Sequence, residues 1–300
     1  MNRLQRKFYQ VDGPTWIVAL VLYGAWTLMV GFNAWLPSWV ILPVGAYLVA
    51  WHFSLQHEAI HSFRGVPGWL RFVVVFAPLG LWFPYPLYRE SHSTHHRDVN
   101  LTIPGVDTES YYVRQADWAR MGVLKRGLLI FNQTLLGRLL IGPLLRLGIL
   151  VAKESQRLRQ RDYSHLPHWA VHAVAVGGLF WFISGFCGFP WWQYCLLVAY
   201  PGLSLGLLRA FTEHRAAEDS EQRTASVESN ALFGVLYLYN NLHVAHHLKP
   251  TLPWYEIPRF YRENKAELLA SNGHFMYPGY TVLVRQYFLT PVFSPIHPTL

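Results

Sequence analysis

GPTWIVALVLYGAWTLMVGFNAWLPSWVILPVGAYLVAWHFSLQH, residues 13–57, contains no Asp, Glu, Lys or Arg over 45 positions. A helix crosses the hydrocarbon core of a bilayer in about 20 residues, so this run is long enough for two crossings. The turn between them is expected at Leu36-Pro37-Ser38. Trp35 and Trp39 flank this turn, and aromatic residues are enriched at membrane interfaces. The run therefore predicts a transmembrane hairpin.

A second uncharged run covers residues 163–208, and its turn is expected near Gly188-Phe189-Pro190. The two runs predict an all-α membrane protein with four transmembrane helices arranged as two hairpins. We expect the spans at about residues 14–36, 39–60, 167–187 and 190–212, in a single integral-membrane domain over residues 1–300. Interfacial helices and a cytoplasmic cap, residues 61–166 and 213–300, are expected to hold the polar motifs described below.

The charge pattern supports a membrane location and predicts its orientation. The chain is 52% hydrophobic and 14% charged, whereas soluble proteins average about 25% charged residues. Residues 64–162 carry fourteen Lys and Arg against seven Asp and Glu, while both predicted turns are uncharged. By the positive-inside rule this segment and both termini are cytoplasmic, and in a bacterium the membrane would be the cytoplasmic one. The net charge of +8 is explained by this membrane face, and no nucleic-acid partner is expected.

Two other apolar stretches, residues 72–87 and 127–151, are expected to be interfacial or re-entrant helices. The first contains three prolines, and the second carries Arg138 and Arg146. If both crossed the bilayer, giving six spans, the polar sequence between them would lie on the opposite face from residues 57–61. The four-span prediction keeps all the histidine motifs on one face.

Three histidine clusters carry the chemical signal of the chain: HEAIH at residues 57–61, HSTHH at 92–96 and HVAHH at 243–247. On a helix, positions i, i+3 and i+4 share one face, so each cluster can direct its imidazoles at a common point. Eight histidines are too many for one zinc ion, which takes three or four ligands. They suit two metal ions, and imidazole binds iron, copper, nickel and zinc.

The order of these clusters resembles that of the membrane fatty acid desaturase family, over residues 40–260. The sequence YNNLHVAHHLKP at 239–250 resembles the family's third box, and TEHR at 212–215 resembles the segment that often carries one further histidine ligand. The resemblance implies two iron ions, Fe2+ in the reduced state. The implied ligands are His57, His61, His92, His95, His96, His214, His243, His246 and His247, with no separate catalytic residue.

The resemblance also implies the reaction and its partners. It implies an O2-dependent oxidoreductase that desaturates an acyl chain of a lipid or fatty acid at the cytoplasmic membrane face. The sequence contains no dinucleotide fingerprint and no segment resembling cytochrome b5, so the electrons are expected from a separate ferredoxin or flavoprotein-linked carrier. An acidic carrier would be steered to the basic cytoplasmic face.

A ligating imidazole usually donates its other N–H to a carboxylate or carbonyl. Candidate outer partners, chosen by proximity in sequence, are Glu58, Asp98, Glu213, Asn240 and Asn241. Some desaturases place an asparagine one helical turn before the extra histidine, where this chain has Ala210. The remaining histidines, His52, His165, His168, His172, His274 and His297, are assigned no metal role, and the last two are expected at the surface.

Two alternative functions stay open on sequence grounds. A lipid, fatty acyl or carotenoid hydroxylase or ketolase would use the same di-iron site. The motif His57-Glu58-Ala59-Ile60-His61 also matches HExxH, in which two histidines bind zinc and the glutamate is the general base of a membrane metalloprotease. The protease hypothesis leaves two of the three histidine clusters unexplained.

Overall fold

The computed structural model describes residues 3–97 and 100–299, and the described chain is mostly helical. It separates into two compact units. Unit 1 comprises residues 1–89 and 143–206, and unit 2 comprises residues 90–142 and 207–300.

The helices that begin in unit 1 include the long apolar ones. They are α1 (Arg3–Gln10), α2 (Gly13–Gly31), α3 (Ser38–His61), α4 (Gly68–Val75), α5 (Tyr85–Arg97), α9 (Leu166–Phe180), α10 (Trp191–Tyr194) and α11 (Tyr200–Glu213). A π-helical segment, Trp181–Phe186, continues α9, and another, Cys195–Ala199, joins α10 to α11. A 3-10 turn, Asn33–Trp35, separates α2 from α3, as the Leu36-Pro37 sequence predicts.

Small residues let the helices of unit 1 approach closely. A Cβ added at Gly45 would lie 2.8 Å from Val198, and one added at Gly202 would lie 2.4 Å from Val49. Such small-residue contacts are the usual means of packing helices where no aqueous hydrophobic effect drives them together. A buried hydrogen bond also joins two of these helices, because Trp26 of α2 donates to the hydroxyl of Tyr194 of α10 at 3.0 Å.

The remaining helices begin in unit 2. They are α6 (Gln115–Arg120), α7 (Val123–Asn132), α8 (Leu135–Arg159), α12 (Ala231–Leu236), α13 (His243–Leu248), α14 (Ile257–Ser271) and α15 (Tyr280–Tyr287). A two-stranded parallel sheet pairs β1 (Ser226–Val227) with β2 (Met276–Tyr277). The apolar face of α13, including Val244 and Ala245, packs in a core with Ile257 and Tyr261 of α14.

Five helical segments of the described chain are long and apolar enough to cross a membrane: Gly13–Gly31, Ser38–His61, Leu135–Arg159, Leu166–Phe186 and Trp191–Glu213. Four of them correspond to the predicted spans. The fifth is α8, which the sequence predicts to be interfacial. The stretch 72–87 forms no continuous helix, because α4 ends at Val75 and α5 begins at Tyr85.

Candidate metal centre

The second histidine cluster lies on the last two turns of α5. His92, His95 and His96 occupy positions i, i+3 and i+4, and the ring centroids of His92 and His96 are 4.6 Å apart. His92 and His95 are each 1% exposed. The helical spacing therefore places three imidazoles on one face, as the sequence predicts, with His96 half-buried beside the two buried rings.

The third cluster occupies most of the short helix α13. The turn before it contains Leu238 and Tyr239 in the left-handed region, at φ 45° and 55°. The backbone N–H of Val244 donates to the carbonyl of Ala225 at 3.0 Å, which fixes the helix beside β1. With Val244 on the core side, His243 and His246 are presented on another face and are each 1% exposed.

Four imidazoles from three separate segments of unit 2 converge on one point. His95, His214, His243 and His247 have ligand nitrogens that all lie within 4.8 Å of one another. His214 is central, because its Nε2 lies 3.1 Å from that of His95 and 2.9 Å from that of His243. It follows α11 directly and pairs with Thr224 in an isolated β-bridge. We call this set the four-histidine group.

A second set in unit 2 contains His92, His96 and His246, whose ligand nitrogens also lie within 4.8 Å of one another. The Nε2 atoms of His96 and His246 are 3.0 Å apart. We call this set the three-histidine group. The two groups draw on the same two helices, α5 and α13, so the HxxHH spacing divides each cluster between two neighbouring sites.

Acceptors at the outer nitrogens fix the orientation of the rings. His95 Nδ1 lies 2.8 Å from Asp107 Oδ1, and His92 Nδ1 lies 3.1 Å from Glu109 Oε1. His214 Nδ1 lies 3.2 Å from the carbonyl oxygen of Arg223. An imidazole that donates through Nδ1–H keeps its Nε2 lone pair for a metal ion.

The outer nitrogen of a fourth ring, that of His243, contacts two predicted partners. His243 Nδ1 lies 3.3 Å from the backbone carbonyl of Asn240 and 3.3 Å from Glu213 Oε1. Glu213 also pairs with Arg209, at 2.6 Å. The Asn241 side chain instead donates to the carbonyl of Val227 at 2.7 Å, which is a structural contact within the third-box loop.

The electrostatics of the four-histidine group favour neutral ligands. Burial and the neighbouring imidazole of His95 lower the pKa of His214 to about 3. Burial and the other imidazoles also hold the pKa values of His243 and His247 well below the usual range. A neutral imidazole is the form that binds a metal ion, so these three imidazoles would need no deprotonation to bind one near neutral pH.

His95 differs because it faces carboxylates. Burial lowers its pKa, but Glu109 and Asp107 outweigh burial and raise it to about 9. Burial raises the pKa of Asp107, but the His95 hydrogen bond outweighs this and holds it below its usual range. The anionic Asp107 is therefore ready to orient His95 and to balance part of the charge of a bound cation.

The donor set fits a metal ion better than it fits a hydrogen-bond network. Four Nε2-bearing rings point together, and among the described residues the buried Nε2 of His247 has no hydrogen-bond partner. A neutral imidazole that donates through Nδ1, such as that of His214, has only its Nε2 lone pair to present to the neighbouring rings. A cation at the common point would satisfy all of them, and an all-nitrogen set suits a transition metal.

The first histidine cluster lies at the C-terminal end of α3 in unit 1. His57 and His61 are one turn apart with ring centroids separated by 4.8 Å, and His57 is 1% exposed. Glu58 is also buried, at 2% exposure. The helix ends at His61, and the N–H of Ser62 closes it on the carbonyl of Glu58 at 2.9 Å.

Sequence proximity missed two outer partners, Asp107 and Glu109. Both follow the second histidine cluster by more than ten residues, in a polar loop. Their acidic side chains are the only feature of the sequence that could have indicated their role. The predicted partner Asp98 lies outside the described residues.

The surface prediction for His297 was wrong, because this residue is 1% exposed. The six histidines without a predicted metal role belong to neither group in the described chain.

The chain matches the model of a known protein family. A family model described as fatty acid desaturase matches residues 33–279. The matched range contains all three histidine clusters and His214. A comparison with curated proteins found no match for the chain.

Proposed function

The chain belongs to the fatty acid desaturase family, and from that premise we propose that it is a membrane di-iron oxidoreductase that uses O2 to introduce a double bond into an acyl chain. The observation that carries this proposal is the pair of histidine groups in unit 2. One zinc site of a metalloprotease needs three or four ligands, whereas seven buried or half-buried imidazoles already converge here without His57 and His61.

The four-histidine group is proposed to hold one iron ion through four imidazole nitrogens. The three-histidine group is proposed to hold the second ion. By resemblance to the family, His57 and His61 are also proposed as iron ligands. Two observations support this ligand set. The outer nitrogens of His92 and His95 are held by carboxylates, and the first cluster shares the i, i+4 spacing that places both of its rings on one helical face.

The reaction needs a source of electrons besides the acyl chain. Converting –CH2–CH2– to –CH=CH– removes two electrons and two protons, while reducing O2 to two waters takes four of each. The remaining two electrons are proposed to come from a separate ferredoxin or flavoprotein-linked carrier. Iron, when bound, supplies the activation of O2 that this oxidation of an unactivated C–H bond requires.

The protein's own residues position the ligands and exclude water. Asp107, Glu109 and the carbonyl of Arg223 hold the rings that present Nε2 to the proposed ions. Five of the eight cluster histidines, His57, His92, His95, His243 and His246, are at most 1% exposed, which limits the access of bulk water to the proposed centre. A dry site strengthens electrostatic interactions and limits side reactions of a strong oxidant.

The histidine geometry also supports a four-span topology. His95 and His214 lie 3.1 Å apart, so the chain between them must cross a bilayer an even number of times. Three candidate spans lie between these residues: α8, Leu166–Phe186 and Trp191–Glu213. We propose that α8, with Arg138 and Arg146, is the helix that does not cross. Both termini are then cytoplasmic, on the face that carries the histidines.

Mass spectrometry of total lipids from a heterologous host tests this function. The host would express the wild-type protein, His246→Ala or His168→Ala. Acyl species lighter by two hydrogens are expected with the wild type and with His168→Ala, whose side chain is exposed, and not with His246→Ala. Iron content of the purified proteins should follow the same order, approaching two per chain in the active forms.

Other outcomes would contradict the proposal. Acyl species heavier by one oxygen would make the protein a hydroxylase on the same site. One tightly held zinc ion per chain, with no iron, would favour the HExxH metalloprotease. Equal loss of iron in His246→Ala and His168→Ala would refute the ligand assignment.

A further inference from the structure

The C-terminal segment of the chain reaches the loop that supports the four-histidine group. Val113 and Ile296 form an isolated parallel β-bridge. The N–H of Val113 donates to the carbonyl of Pro295 at 2.9 Å, and the N–H of His297 donates to the carbonyl of Val113 at 2.9 Å. This bridge fixes the backbone at the N–H of His297, a residue that sequence reasoning placed at the surface.

His297 presents one proton donor to Thr102. Its Nδ1 lies 3.3 Å from the N–H and 3.0 Å from the hydroxyl of Thr299, so it serves as an acceptor. The proton of a neutral ring is then on Nε2, which lies 3.2 Å from Thr102 Oγ1. Both His297 and Thr102 are 1% exposed, so water does not compete for this contact.

Thr102 is held in an unusual backbone conformation. Its φ is 71°, in the left-handed region that β-branched residues rarely adopt. Such strain persists only where the surroundings determine it, and it often marks a functional site. Here the His297 ring holds the Thr102 side chain, and the hydroxyl of Ser110 donates to the Thr102 carbonyl.

The conformation of Thr102 directs its N–H at Asp107. This N–H donates to Asp107 Oδ2 at 2.8 Å, and the N–H of Glu109 donates to Oδ1 at 2.9 Å. These contacts orient the carboxylate so that Oδ1 accepts from His95 Nδ1 at 2.8 Å. A continuous buried path therefore joins His297 to His95 through Thr102 and Asp107.

We propose that His297 is a positioning residue for the metal centre, acting through the strained backbone of Thr102 on the Asp107–His95 pair. The C-terminal segment would thus set the orientation of a ligand more than 200 positions away in sequence. This inference rests on the proposed metal-binding role of His95. Metal affinity would then depend on His297 and Thr102, although neither residue is proposed to contact the metal ion or the substrate.

The test is metal affinity, measured without substrate or electron donor. Metal-free full-length protein in detergent would be titrated with Co2+, read by its visible spectrum in competition with a chelator. His297→Ala is expected to weaken binding about threefold to tenfold, below the ~10–100-fold typical of direct partners of metal ligands. His297→Gln retains an N–H donor and should bind within about twofold of the wild type. The exposed control His168→Ala should be unchanged.

A second variant tests the path itself. Thr102→Val keeps the shape of the side chain but removes Oγ1, so it should weaken binding about as much as His297→Ala. The double variant should lose little more, because neighbours in one network are not additive. If His297→Ala does not fold, Thr102→Val and His297→Gln still provide the comparison.

Two results would overturn the inference: unchanged affinity in Thr102→Val, or fully additive losses in the double variant. Wild-type protein that binds metal but makes no double bond would refute the proposed reaction and leave this inference standing. Wild-type protein that binds no metal would refute the metal centre on which both depend.

Discussion

Replacing Asp107 with asparagine is expected to weaken metal binding at the four-histidine group by one to two orders of magnitude. The Asp107 side chain is buried and accepts three hydrogen bonds of 2.8–2.9 Å, from the ring of His95 and from the backbone N–H groups of Thr102 and Glu109. A carboxylate is an acceptor only, which suits a site with three donors.

An asparagine side chain cannot satisfy this site in either orientation. With its oxygen toward His95 and Glu109, its NH2 group faces the N–H of Thr102, and two donors oppose each other. With its NH2 group toward His95, the imidazole must carry its proton on Nε2, where the metal ion would bind. Either way one charged hydrogen bond is lost, at a cost of ~1.5–3 kcal/mol. At ~1.4 kcal/mol per tenfold, this is a loss of about 10-fold to 150-fold.

Competition of Co2+ between metal-free protein and a chromogenic chelator measures this loss. The matched control is Asp219→Asn, because Asp219 is exposed and accepts a local hydrogen bond from the N–H of Glu221 at 3.0 Å. Circular dichroism of both variants would establish that they are folded. A folded Asp107→Asn variant that binds Co2+ within twofold of the wild type would refute the role assigned to the carboxylate.

Two further predictions concern the scaffold. Gly202→Ala is expected to lower the Tm in detergent, because the added Cβ would lie 2.4 Å from Val49. The control Gly148→Ala, whose added Cβ would meet no neighbour within 4 Å in the described chain, should leave the Tm unchanged or raise it. Equal shifts in Tm would contradict the close contact between Gly202 and Val49. Arg223→Lys is expected to lower the free energy of unfolding by ~1–3 kcal/mol. The buried guanidinium donates to three backbone carbonyls that one ammonium group cannot reach together. Chemical denaturation measures the loss against the control Arg259→Lys, whose side chain is 78% exposed, and an equal loss in the control would refute this prediction.

The fifth apolar helix depends on contacts that the sequence does not reveal. Arg138 and Arg146 predict an interfacial helix, and in the structure both lie on α8, one continuous helix of 25 residues. Arg138 is 2% exposed, and its guanidinium lies 4.3 Å from the ring centroid of Tyr111 and 5.5 Å from that of Phe211. Aromatic faces stabilise the charge, and they come from parts of the chain whose proximity the sequence pattern does not reveal. The four-span layout stays a prediction.

The sequence by itself determined the features that depend on local periodicity. Uncharged runs of more than forty residues predicted membrane helices, because the length of a span is set by helical rise and bilayer thickness. The i, i+3, i+4 spacing predicted that His92, His95 and His96 share a helical face, and the same rule applies to the cluster at His243. These inferences need only neighbours within two turns of one helix.

Only the tertiary structure decided how the histidines divide into two groups and what holds them. Asp107 and Glu109 contact rings twelve and seventeen positions earlier, and His297 reaches Thr102 from the far end of the chain. Such contacts depend on the path of loops, which have no periodic pattern to read. The pKa of His95, raised to about 9, and that of His214, lowered to about 3, follow from this burial and these neighbours, so two histidines that look alike in the sequence become chemically different in the fold.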